Sequence, residues 1–198
     1  MAKIDLSLIQ ELRTRTGVGM MDCKKALEEA NGDMEQAITI LRKKGAAVAA
    51  KRSGNETSQG LVCSYIHAGS QVGVLVEVNC ETDFVARTDA VKQFAQDVAM
   101  HIAACKPLCV DAAGLDPAYL EKERAFFTEQ LVSSGKPAAM VEKIVEGKVQ
   151  KLYSDVCLMG QPFVKNDKVT IDDLLKDLIA KMGEKIVVRR FVRYEVGA

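Results

Sequence analysis

The sequence predicts an α+β fold: a small antiparallel sheet with several helices, preceded by a compact three-helix module. Three observations carry this. Val72, Val74, Val76 and Val78 alternate strictly, the period of a strand with one buried face. Leu8, Ile9 and Leu12, and further on Met34, Ala37, Ile38 and Leu41, recur at helical spacing. Strands and helices do not follow one another as regular βαβ units, which favours an antiparallel sheet over a parallel one.

The first helix carries Leu8, Ile9 and Leu12, with Ser7 and Gln10 as its capping box. Gly17 and Gly19 break it, because two glycines permit a tight turn. A second helix runs through residues 21–27 and stops at Asn31-Gly32. Asp33 with Gln36 caps a third. The stretch 46–60 turns alanine-rich and then polar, and reads as a linker. The expected organisation is therefore a three-helix module with linker over 1–54 and an α+β core, also the dimerisation domain, over 55–198.

The core opens with a hairpin: a strand over 61–67, a turn at 68–71 and a strand over 72–80. The segment Thr82-Asp83-Phe84-Val85 reads as a loop. Val91, Phe94, Ala95, Val98 and Ile102 define an amphipathic helix that Pro107 ends. Asp116-Pro117 starts another helix, with proline in its first turn. Residues 133–137 break the chain. Two short helices follow, separated near Gly147, and 160–163 is a loop. Thr170 with Asp173 caps a helix that ends at Gly183, and 185–196 is the final strand.

At 198 residues the chain has room for one domain and a small extra module. Lys plus Arg and Asp plus Glu number 27 each, Trp is absent and aromatics are 5%. That balance argues against direct nucleic-acid binding, which uses basic stripes and base-stacking aromatics. No apolar run reaches about 18 residues, so no membrane span is expected. Residues 1–5 lack the apolar region of a signal peptide, so the expected location is cytoplasmic. The six cysteines, Cys23, Cys63, Cys80, Cys105, Cys109 and Cys157, form no CxxC pair and have no His or Cys partners at zinc-finger spacing. They read as free thiols, with no metal and no cofactor.

Gly17-Val18-Gly19 follows a helix and has no third glycine at the right spacing, so it fails as a dinucleotide fingerprint. Cys80 beside Glu81, with His67 or His101 as base, is raw material for a thiol nucleophile, but Cys80 shares the buried face of the valines. His101 reads as a satisfied residue within a helix. His67 closes a strand at the hairpin turn and is either simply solvated or an interface contact. Met20 and Met21, with Lys24 and Lys25 one turn on, are either an adaptable binding surface with a charged handle or ordinary packing and solubility. Phe84 either folds back to cap the core or is pushed into another protein, as an aromatic beside an acid on a short anchored loop suits.

Two long stretches are similar to signatures of one family. Leu12-Arg13-Thr14-Arg15-Thr16-Gly17-Val18-Gly19-Met20-Met21-Asp22-Cys23-Lys24-Lys25-Ala26-Leu27 resembles the N-terminal signature of the elongation factor Ts family, and residues 77–87 resemble its second signature. The likeness continues through Gly135-Lys136-Pro137, Gly160-Gln161-Pro162-Phe163-Val164 and the C-terminal strand. It implies a ubiquitin-associated-like three-helix module followed by an α+β core. It also implies guanine-nucleotide exchange on the GTPase elongation factor Tu, by protein–protein binding without covalent chemistry. In that family the Thr-Asp-Phe-Val segment, here Thr82, Asp83, Phe84 and Val85, enters the GTPase domain and dislodges its magnesium ion. The N-terminal module docks on the same domain, which implicates Met20, Met21, Lys24 and Lys25. The hairpin bearing His67 resembles the part that touches the partner's third domain. Longer members divide the probing segment and the Ser-Tyr-x-His hairpin between two core copies. This chain carries Ser64-Tyr65-Ile66-His67 and Thr82-Asp83-Phe84-Val85 on one core, which implies a homodimer.

Overall fold

The computed structural model describes residues 4–198, so Met1, Ala2 and Lys3, part of the stretch read for a signal peptide, lie outside the described residues. Among the described residues, eight α-helices and five strands alternate irregularly, an α+β fold as the sequence predicts. Two compact units are formed. One comprises Met1–Cys63, Glu77–Asp97 and Asp173–Arg189; the other comprises Ser64–Val76, Val98–Asp172 and Arg190–Ala198.

The first unit begins with α1 (Leu6–Thr16), α2 (Met20–Glu29) and α3 (Met34–Arg52). Asp5, not Ser7, is the N-cap of α1, its carboxylate accepting from the Ser7 amide and hydroxyl. Aspartate at the cap satisfies a first-turn amide that Ser7, itself within the first turn, cannot cap. Gly17 ends α1 at φ 68°, a left-handed conformation that costs glycine little. Asn31 and Gly32 stop α2 at φ 51° and 88°, and the Gln36 amide donates to Asp33 at 2.9 Å to start α3, as the sequence predicts. Ile9, Leu12, Cys23, Ala26, Leu27, Ala30, Ala37 and Leu41 close a small core among the three helices.

Residues 46–52 are not linker: they continue α3 to Arg52. An alanine-rich stretch has high helix propensity, and here it also has a neighbour. α8 (Ile171–Met182) lies against α3 so closely that a Cβ on Gly45 would collide with Ala180. Gly183, at φ 69°, ends α8, and β5 (Ile186–Glu195) follows.

The strands β1 (Gln59–Ile66), β2 (Val72–Cys80) and β5 form one sheet in the order β1-β2-β5. Val74, Val76, Val78 and Cys80 are buried and Leu75 is exposed, the alternation read in the sequence. After β2, the expected loop is a single helical turn, α4 (Asp83–Ala86), and α5 (Asp89–Cys105) follows. Thr82 is the α4 cap, its hydroxyl accepting from the Val85 amide, which an open loop would leave to water.

In the second unit α6 (Pro117–Ser133) and α7 (Ala138–Val156) pack side by side through Leu131, Val141, Val145 and Val149. α7 is one helix, not the expected two. Gly147 faces open space, and the buried Val145 and Val149 on either side hold the helix through it; an interior glycine costs only about 1 kcal/mol. The expected loop at 160–163 contains β3 (Pro162–Phe163), paired antiparallel with β4 (Asn166–Thr170). A two-residue strand has too few positions to display a period.

Candidate functional site

Phe84 is 80% exposed, so it does not cap the core. It projects from α4, whose geometry is set by the residues on either side. Thr82 is extended (φ −124°, ψ 154°), and its hydroxyl accepts from the Val85 amide at 3.4 Å. The Ala86 and Arg87 amides return to the carbonyls of Thr82 and Asp83 at 3.3 and 3.2 Å. Asp83 pairs with Arg87 at 3.0 Å along the same turn, and Val85 is half-buried. The segment thus offers one large apolar ring to solvent on a turn whose Val85, Ala86 and Arg87 amides are paired.

Two carboxylates anchor this turn. Glu184, in the turn after α8, accepts from the Thr82 amide at 3.1 Å and from its hydroxyl at 2.8 Å. Glu81 accepts from the Lys185 amide at 2.5 Å, from Arg52 at 2.9 and 3.0 Å and from Asn55 at 2.9 Å. The Lys185 ammonium donates to the carbonyls of Ser53 and Asn55 at 2.6 and 2.7 Å. The Lys185 amide, then Asn55 and Arg52, hold the Glu81 carboxyl below the usual carboxylate range. None of these partners stood out in the sequence. Glu184 has no periodic neighbour, and its only local signal is the glycine before it.

On α2, Met21 is 64% exposed and Lys24 and Lys25 are exposed, whereas Met20 packs against the small core of the three helices. The methionine pair therefore splits: one is surface and the other is packing. Lys24 lies 3.8 Å from Glu28, a loose exposed pair. His67 is exposed, with Nδ1 3.0 Å from the Tyr65 hydroxyl.

The thiol-nucleophile arrangement does not form. Cys80 is buried, and burial, then the Glu184 charge, pushes its thiol up. Its Sγ–H donates to the Thr82 carbonyl at 3.1 Å. A neutral buried thiol is a poor nucleophile. His101 is fully buried. The Val164 amide donates to its Nδ1 at 3.2 Å, so the Nε2–H faces the Gln161 side-chain oxygen at 3.0 Å. Burial lowers its pKa, and the neutral ring serves as a structural cross-link.

Among the described residues no disulfide joins any of the six cysteines. Four of them are buried, but Cys105 is exposed. Burial, then Cys109, whose Sγ lies 3.5 Å away, pushes the Cys157 thiol up to about 12. No group of three or more His, Cys, Asp or Glu side chains among the described residues is arranged to hold a metal ion. No helix among them is long and apolar enough to cross a membrane.

Comparison with known proteins points one way. The family model described as "Elongation factor TS" matches residues 21–198. The chain is 56% identical over 194 residues to Elongation factor Ts of Carboxydothermus hydrogenoformans, covering 98% of this chain and 89% of that one. It is 54% identical over 194 residues to Elongation factor Ts of Koribacter versatilis, with the same coverage. It is 52% identical over 195 residues to Elongation factor Ts of Desulfotalea psychrophila, covering 98% and 99% of the two chains. Matched by the family model over most of its length and 52–56% identical to these relatives over nearly all of it, the chain belongs to the elongation factor Ts family.

Proposed function

We propose that this chain is a guanine-nucleotide exchange factor that binds elongation factor Tu–GDP, dislodges its magnesium ion and promotes GDP release during translation elongation. The observation that carries the reading is Phe84: a large apolar ring left 80% exposed on a capped, anchored turn. An exposed aromatic on a pre-ordered backbone suits a hot spot, because little conformational entropy is lost on insertion. Thr82, Asp83, Phe84 and Val85 are the inserting segment. Met20, Met21, Lys24 and Lys25 form the docking surface of the N-terminal module, with Met21 and the lysines in contact and Met20 supporting them from below. His67 meets a second region of the partner.

A GTPase holds GDP through phosphate contacts and a bridging magnesium ion. Displacing the elements that hold the ion weakens nucleotide binding, and by linkage nucleotide weakens the factor's binding equally. Binding, GDP loss, GTP entry and factor release then form a cycle with no covalent step. The function locates the protein in the cytoplasm.

The same reading divides the work between a docking module, residues 1–54, and a core, residues 55–198, that also dimerises. A homodimer would supply two cores at a separation that one cannot. Its seam lies on the sheet. Ile66, Leu75, Val192 and Tyr194 are 63%, 47%, 38% and 71% exposed, an apolar face that a second copy would cover. Sedimentation at micromolar concentration tests this, and a clean monomer of 21.6 kDa would defeat it. The activity itself is tested by release of labelled GDP from purified elongation factor Tu with and without the chain. Unchanged release would overturn the reading.

A further inference from the structure

Glu81 and Glu184 form a reciprocal clasp: each carboxylate takes the backbone amide of the residue that follows the other, Glu81 from Lys185 and Glu184 from Thr82. Glu184 does more. A hydroxyl has one proton to give, and that of Thr82 goes to Glu184 at 2.8 Å. The lone pairs of the oxygen are thereby turned toward the Val85 amide, 3.4 Å away, which is the capping bond of α4.

α4 has four residues, Asp83–Ala86. A helix this short has no stability of its own, since nucleation is unfavourable and isolated helices below about 12 residues are marginal. Its order must come from outside the turn. The Asp83–Arg87 pair contributes little, because Arg87 is 78% exposed and such pairs are weak. The buried Ala86, the half-buried Val85 and the Thr88 hydroxyl, which donates to the Val85 carbonyl at 2.8 Å, hold the end of the turn; its start rests on the cap and the group that orients the cap.

We propose that Glu184 is the positioning residue of the exchange segment: by taking both donors of Thr82 it keeps α4 wound and Phe84 projecting before the partner arrives. This rests on the exchange reading above and deepens it. Without Glu184 the hydroxyl turns freely, α4 unwinds, and Phe84 must be ordered during binding. Docking through α2 is left as it was, so the loss falls on the insertion step.

The test compares Glu184→Ala, Glu184→Gln, Thr82→Val and Thr82→Ser by the maximal rate of stimulated GDP release and the concentration for half-maximal stimulation. For Glu184→Ala and Thr82→Val the maximal rate falls roughly tenfold, the size expected for a coupled pair. The half-saturating concentration stays within about twofold, since docking is retained. Thr82→Ser, which keeps the hydroxyl, loses less than Thr82→Val. The double variant Thr82→Val/Glu184→Ala is no worse than either single one, because both remove the same device. Amide hydrogen exchange at Val85 and Ala86 speeds up in the same variants. Glu184→Gln keeps the volume and one acceptor oxygen; it lies between Ala and wild type, and decides the matter should the alanine variant fail to fold. A normal maximal rate in Glu184→Ala or Glu184→Gln, or additive losses in the double variant, would overturn the proposal. If wild type itself releases no GDP, or Phe84→Ala releases it normally, the fault lies with the exchange reading and not with Glu184.

Discussion

The face of α2 and the turn α4 both present exposed apolar side chains, yet they are held by opposite means. Met21 stands on a ten-residue helix whose other side buries Cys23, Ala26 and Leu27 in a core built by its immediate neighbours α1 and α3. Phe84 stands on four residues whose cap, Thr82, donates two hydrogen bonds to Glu184, far along the chain. A surface backed by its own core tolerates polar substitutions nearby and fails when the core is hollowed. A surface held by polar contacts fails when one partner is lost, with the core untouched.

The largest effect is expected from hollowing the first of these. Leu27→Ala removes a fully buried side chain and is expected to cost about 2–5 kcal/mol, read by urea unfolding. A loss below about 1 kcal/mol would mean that the three-helix core collapses around the gap. Phe84→Ala is expected to leave stability within about 0.5 kcal/mol. It is expected to lower stimulated GDP release by roughly 30-fold or more, a hot-spot loss of about 2 kcal/mol. A variant that unfolds early, or that exchanges normally, would erase the contrast with α2.

Gly45→Ala sharpens the comparison at the helix that serves both regions. Alanine is favoured in helices by about 1 kcal/mol. Its methyl group would nevertheless collide with Ala180, and overpacking costs about 1–3 kcal/mol. A net loss in thermal midpoint is expected, and a gain would mean that α3 and α8 separate easily. Met21→Ala is expected to raise the half-saturating concentration less than about fivefold, below the hot-spot range, with stability unchanged.

Acid should act on the carboxylates that anchor the α4 turn and on the end of β5. The folded-state pKa of Glu81 is depressed below 4.5, so its contribution is present above that value and is lost as pH falls through the folded value. Glu195, which Arg193 and then Lys106 hold at about 2, behaves the same way over 4.5 down to 2. Glu81→Gln and Glu195→Gln should each flatten part of the acid limb of an unfolding titration. Unaltered limbs would show that these carboxylates are equally well placed in the unfolded chain.

Legibility in the sequence followed the range of the interaction. The valine alternation, the glycine stops at Gly17, Gly32 and Gly183 and the Asp33 cap are local, and each stands where it was read. The errors lie where a local signal was weak or was overruled. The alanines of 46–52 continue α3 because α8 packs on it near Gly45. Gly147 does not divide α7 because Val145 and Val149 bury on either side. β3 is too short to show a period.

The sequence by itself determined the α+β class, the three-helix module, the hairpin and both signature segments, because periodicity, caps and glycine conformations act within a few residues. Only the tertiary structure decided that Phe84 faces solvent while Cys80, close by, is buried. It also decided that Met20 packs while Met21 is exposed, and that Thr82 answers to Glu184. Those outcomes depend on which distant backbone donor meets which carboxylate. Such a meeting has no period and no spacing; it exists only when the turn after α8 closes on the end of β2.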